Sequence, residues 1–123
     1  MNDKKREEMR LRTKRFALAI IRFYGSLPDR TIAQVLGRQV LRSGASVGSH
    51  YREACRAKSN ADFVSKLEGG LQELDETACW LELLRDAAIA KINRVEPLLA
   101  EANELIAIFV TVVRSVKGLP KAR

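Results

Sequence analysis

Apolar positions recur along this chain at steps of three and four, the spacing of one helix face. Phe16, Ile20, Phe23 and Leu27 begin the pattern and predict a first helix over residues 5–26. Leu27-Pro28 ends it, because a residue before proline avoids the helical region. Ile32, Leu36, Val40, Val47, Tyr51 and Ala54 predict a second helix over 30–57, with Asp29 or Thr31 as its cap. Phe63, Leu67, Leu71, Leu74, Ala78, Leu81, Leu84 and Ala88 keep the spacing longest and predict a third over 60–90, opened by the capping box Ser59-Asn60-Ala61-Asp62. Leu98, Ala102, Leu105, Phe109, Val112 and Val116 predict a fourth over 95–117. Asn93 caps that helix, Pro97 falls in its first turn, and Gly118-Leu119-Pro120 stops it. No two-residue alternation competes. The prediction is an all-α, antiparallel, up-down-up-down four-helix bundle, one domain over residues 1–123, with a basic N-terminal end over about 1–15 and a short basic tail at 118–123.

Two features complicate this pattern. Residues 43–49 read Ser-Gly-Ala-Ser-Val-Gly-Ser, and Gly69-Gly70 sit inside the third helix. Each glycine costs an isolated helix ~1 kcal/mol relative to alanine. Either the second helix breaks, or small side chains admit another backbone; the pattern resuming at Tyr51 favours a continuous helix. Apolar residues also spill beyond the main stripes of the first and fourth helices. A helix apolar on most sides must be covered on most sides, which predicts a homo-oligomer with Ile21, Tyr24, Ile106, Phe109 and Val113 as candidate interface residues.

Composition narrows the class. Of 123 residues, 46% are apolar and 30% charged, which excludes a disordered chain. No apolar run approaches the ~18 residues of a membrane span. The charged start MNDKKREEMR has no signal-type apolar stretch behind it, so a cytoplasmic location is expected and a membrane is not. The net charge of +7 is uneven: nine Lys/Arg stand against four Asp/Glu in residues 1–30, but three against seven in 59–93. A basic half attracts nucleic acid. It can equally pair with the acidic segment of its own chain.

Candidate chemistry is sparse. Cys55 and Cys79 lie ~25 Å apart in an antiparallel hairpin turning near residue 58, too far for a disulfide. Ser46, Ser49, His50 and Glu53 can be written as a Ser-His-Glu set, but without a strained turn or oxyanion donors. No metal or cofactor site is expected, since the Glu-x-x-His element of di-iron bundles is absent. The same hairpin places Arg42 level with Glu73 and Glu76, and Glu53 level with Lys66, which predicts a structural polar network of those five residues between helices two and three. Residues 31–66 also loosely resemble a repressor-type helix-turn-helix, with Gly44 at the turn and His50, Tyr51 and Arg52 on a recognition helix.

Gln39-x-x-Arg42-Ser43-x-x-Ser46-Val47, Glu53-Ala54, Phe63-x-x-Lys66-Leu67 and Glu73-x-x-Glu76-Thr77-x-x-Trp80-Leu81 resemble a bacterial four-helix-bundle family first noted as products of intervening sequences in large-subunit ribosomal RNA genes. That resemblance spans Phe16 to Val116. It implies a left-handed bundle assembling as a ring-like homopentamer, and a distant relation to the accessory protein of diversity-generating retroelements, which binds nucleic acid and a reverse transcriptase. His50 stands where the family usually has Asn. The functional expectation is a non-enzymatic oligomer associated with RNA or DNA. Its candidate phosphate contacts are Lys4, Lys5, Arg6, Arg10, Arg12, Lys14 and Arg15. The alternatives are a scaffold for an acidic protein partner or a reverse transcriptase and, more distantly, a helix-turn-helix regulator.

Overall fold

The computed structural model of the chain describes residues 2–120; the tail Lys121-Ala122-Arg123 lies outside them. Four helices follow one another: α1 (Asp3–Gly25), α2 (Thr31–Cys55), α3 (Asn60–Asp86) and α4 (Ile92–Val116). Each packs against its sequence neighbours, and α1 meets α4 along a sparser seam that closes the ring. This is an all-α, up-down-up-down bundle. Among the described residues there is no strand, and no helix is long and apolar enough to cross a membrane. The stripes turn inward to build one core, in which Ile20, Val40, Val47, Leu74, Leu81, Leu84 and Leu105 are wholly buried.

The helix ends follow capping chemistry. Asn2 Oδ1 accepts from Lys5 N at 2.9 Å, and Ser59 Oγ accepts from Asp62 N at 3.1 Å, as the capping box requires. Helix α2 begins after Arg30 and α4 after Lys91, both without a side-chain cap, so neither Asp29, Thr31 nor Asn93 fills that role. Because α4 starts at Ile92, Pro97 falls inside it rather than in its first turn. Helix α3 stops at Asp86, four residues short of its predicted end at residue 90. Ala88 takes φ +56°, Ile89 N donates to Leu84 O at 2.9 Å, and Ala88 N to Arg85 O at 3.0 Å. That is a Schellman stop made with alanine where glycine is usual. Helix α4 ends the same way on Gly118, φ +71°.

Helix α2 runs unbroken through Gly44, so no helix-turn-helix forms. Its small residues admit α1 instead. A Cβ on Gly44 would meet Ile20 Cγ1 at 2.8 Å, and one on Gly48 would meet Thr13 Oγ1 at 3.3 Å. Gly69 and Gly70 do the same for α3: a Cβ there would meet His50 Nδ1 at 2.8 Å and Phe109 Cε2 at 3.0 Å.

Candidate nucleic-acid interface

The antiparallel pairing of α1 and α2 sets which charges share a surface. Gly44 faces Ile20 and Gly48 faces Thr13, so facing residues sum to about 62. The N-terminal turns of α1 therefore lie beside the C-terminal turns of α2. Arg52 comes level with Arg10, and Arg56 with Arg6. The two helices bound a groove of about 360 Å³ lined by Arg6, Arg10, Arg52 and Arg56, by Asp3 and Glu7, and by the buried Tyr51 and partly buried Cys55 at its floor. Burial pushes the Tyr51 phenol up, and its hydrogen bond to Cys55 adds to the shift.

The seven cations expected on α1 do not act alike. Lys4, Lys5, Lys14 and Arg15 are exposed and make no ion pair among the described residues. Arg10 donates Nε to Glu7 Oε2 at 2.9 Å, and this bond holds the Glu7 carboxyl below the usual carboxylate range. Arg12 faces the other way. Its Nε and Nη2 grip Glu101 at 2.9 and 2.7 Å, and Nη2 also reaches Glu104 at 2.7 Å, which clips α1 to α4. Arg6 is half-buried, and its Nε is sealed from water without a hydrogen-bond partner among the described residues. Arg52 and Arg56 were absent from the sequence-based set because only the α1–α2 register brings them to α1; that register is legible from the small residues of α2.

The polar network between α2 and α3 forms in part. Arg42 Nη1 donates to Glu73 Oε2 at 3.3 Å and Nη2 to Glu76 Oε2 at 3.0 Å. The pair lies at the surface, however, with the Arg42 side chain 52% exposed. Ser43 takes the inward position beside it. Ser43 Oγ and Thr77 Oγ1 sit 2.8 Å apart in the core, each also within reach of its own helix's carbonyl, Gln39 O and Glu73 O, both at 2.7 Å. Glu53 and Lys66 are joined by no hydrogen bond or ion pair among the described residues. Tyr51 and Ala54 occupy the inward positions of that turn and leave Glu53 in solvent.

The expected interface residues also divide. Phe109 and Val113 are core of the single protomer, 1% and 6% exposed, and the Phe109 ring centroid lies 5.9 Å from that of Tyr51. Tyr24 is half-buried over Gly37 and donates its hydroxyl to Gln34 Oε1 at 2.7 Å. Ile106 is half-buried and Ile21 exposed. Leu18, Ile32, Val35, Leu83, Ile92 and Leu119 are exposed as well. His50 lies on Gly69 with Nδ1 buried and unpaired among the described residues, Ser46 Oγ donates to Ser43 O at 2.9 Å, and Ser49 and Glu53 face solvent, so these residues assemble no triad. Both cysteines are free, and among the described residues no three His, Cys, Asp or Glu side chains cluster as metal ligands.

The fold has a solved counterpart. The chain is similar to a protein of unknown function from the S23 ribosomal protein family of Bacteroides thetaiotaomicron, whose crystal structure was determined at 1.70 Å. The two are 32% identical, with a TM-score of 0.82 over 89% of this chain and 98% of that one. No curated protein matches the chain significantly. Residues 6–111 match the 23S rRNA-intervening sequence protein family, from the first groove arginine to the last turns of α4, and the chain belongs to that family.

Proposed function

We propose that the protein is a non-enzymatic, cytoplasmic homo-oligomer that associates with nucleic acid, RNA foremost, through the basic end of α1. The observation that carries this reading is the set of exposed cations without acid partners among the described residues, Lys4, Lys5, Lys14 and Arg15, on the helix that forms one wall of the arginine-lined groove. Arrays of this kind supply the salt-sensitive, sequence-independent part of nucleic-acid binding. The family's description, which ties it to a 23S rRNA intervening sequence, is consistent with an RNA association. Oligomerisation is supported by the exposed Leu18, Ile21, Ile32, Val35 and Leu83, and the family resemblance makes a pentamer the expected number. The second reading, a scaffold whose basic face meets an acidic protein, rests on the same cations.

A salt titration separates the two. Binding to generic RNA and DNA should fall steeply with salt, with a log–log slope of about −0.7 per phosphate contact on a single strand. An absence of RNA and DNA binding at low salt would reject the first reading. Light scattering at micromolar concentration should give a mass several times 13.8 kDa. A clean monomer would reject the oligomer.

A further inference from the structure

Beyond a basic face in general, we infer that the α1–α2 groove is a cradle for the phosphodiester backbone of a single nucleic-acid strand, with Arg6 and Arg10 on one wall and Arg52 and Arg56 on the other. This rests on the nucleic-acid reading above and gives it a location. Four arginines line it against two carboxylates, Asp3 and Glu7. Elsewhere on α2 and α3 some cations are answered by acids, Arg42 by Glu73 and Glu76 and Arg85 by Asp86 and Glu96, while Arg38 and Lys66 make no ion pair among the described residues. Among the described residues, only Arg10 of the groove has such a partner, Glu7. Arg52 and Arg56 make no ion pair among the described residues. Arg6 Nε is already stripped of water and still lacks an acceptor.

The geometry selects among anions. On each wall the two arginines stand four residues apart, ~6 Å along the helix. Adjacent packed helices have axes ~8–10 Å apart, which leaves a channel between them narrower than a duplex. A charged groove that tracks a backbone is how single strands are held without sequence readout. All four cations are arginine, whose planar fork meets phosphate oxygens in pairs. An acidic peptide fits less well. Peptide recognition depends on apolar anchors in open pockets, and here the floor's aromatic, Tyr51, is 1% exposed. On binding, Arg10 exchanges Glu7 for a phosphate. Arg6 also borders a neighbouring cavity of about 300 Å³ with Lys58 on its rim, so the cationic path continues over the α2–α3 turn.

The test uses the full chain and a fluorescent twenty-nucleotide oligouridylate, read by anisotropy across a salt series. Arg52→Gln/Arg56→Gln should bind about tenfold more weakly, with a salt slope shallower by about 1.4, two phosphate contacts at ~0.7 each. The control Arg22→Gln/Arg38→Gln removes equal charge from exposed sites at the far end of the same helices, outside the groove lining, and should weaken binding far less, with the salt slope nearly unchanged. Thermal melts establish that both variants fold. In a Cys79→Ser background, the RNA should also slow alkylation of Cys55, which lies in the groove floor. If wild type binds RNA with a steep slope but the groove variant binds as wild type does, the cradle is wrong while the nucleic-acid reading stands. If the protein binds duplex RNA more tightly than the single strand, the strand assignment is wrong. If it ignores RNA and binds polyglutamate through the same arginines, both readings fall together.

Discussion

Replacing Gly44 with alanine tests whether the small stripe of α2 exists for close packing. On an isolated helix this change stabilises by about 0.5–1 kcal/mol, because alanine loses less backbone entropy. Here the new Cβ would lie 2.8, 3.0 and 3.2 Å from Ile20 Cγ1, Cγ2 and Cδ1. Ile20 is 0% exposed, and its β-branched side chain holds one χ1 well in a helix, so it cannot swing away. Overpacking of this kind costs about 1–3 kcal/mol. The clash outweighs the propensity gain, and Gly44→Ala should destabilise by about 1–2 kcal/mol. Truncating the opposing side chain reverses the sign. Ile20→Ala alone should cost about 2–5 kcal/mol, but it removes all three clashing atoms. Adding Gly44→Ala then recovers ~1 kcal/mol and fills part of the cavity. The cycle should show a favourable coupling of about 2 kcal/mol or more. Urea unfolding by circular dichroism reads it, at one fixed protein concentration because an oligomer's stability depends on concentration. Equal stabilisation by Gly44→Ala in both backgrounds would refute the close approach.

Four further outcomes follow from named contacts. Arg42→Ala should leave the urea midpoint nearly unchanged, since its guanidinium is half exposed and such pairs add little; a large drop would mean the site is buried in the assembly. Ala88→Gly should raise stability by about 1 kcal/mol, because Ala88 holds a left-handed conformation that costs an L-residue; a lower calorimetric midpoint would contradict the Schellman stop. Phe109→Asp should abolish the cooperative melt rather than release folded monomers, because the ring is 1% exposed in the protomer core; a folded monomer in light scattering would return Phe109 to the interface. Arg12 holds the Glu101 carboxyl below its ordinary value, so the pair's stabilisation is complete above the unfolded-state pKa of ~4.3 and disappears as pH falls through the lower folded-state value. The acid limb of the melting temperature should therefore flatten in Glu101→Gln, and an unchanged limb would show that the clip carries no linkage.

The four helices were legible because each keeps a three-and-four spacing for at least three turns, and no alternating pattern interferes. What escaped was local backbone chemistry. The end of α3 at Asp86 depends on Ala88 adopting a conformation that alanine's sequence context does not advertise, so the apolar spacing continued to point past it. The early start of α4 needed Lys91 as an uncapped N-terminus, where Asn93 was the better-looking residue. In the polar layer, matching heights were enough to pair Arg42 with Glu73 and Glu76. They were not enough for Glu53 and Lys66, because height along the bundle says nothing about direction around the helix. Phe109 shows the same limit, since a residue on a helix apolar all round can face its own core or another chain.

Charge placement along the sequence left two outcomes open: the basic half could meet the acidic segment internally, or remain for a partner. The structure divides them by position. Most acids of α3 fall between Glu68 and Asp86, and facing residues of α2 and α3 sum to about 117, so these acids lie beside residues 31–49 of α2. Arg42 is answered there. Arg52 and Arg56 face residues 61–65, where Asp62 is the one acid, and its backbone belongs to the α3 cap. Across the other flank they meet Arg6 and Arg10, which add to the excess. Neutralisation is therefore sparse toward the end of the bundle where α1 begins, and four arginines against two acids line the groove there. Like charges on neighbouring helices repel one another, and an external anion lowers that cost. Moving one acid tests the point: Ser65→Glu puts a carboxylate on α3 level with Arg52, and RNA affinity should fall severalfold while stability holds or rises. A variant that binds RNA as well as wild type would show that the uncompensated charge of this end is incidental to binding.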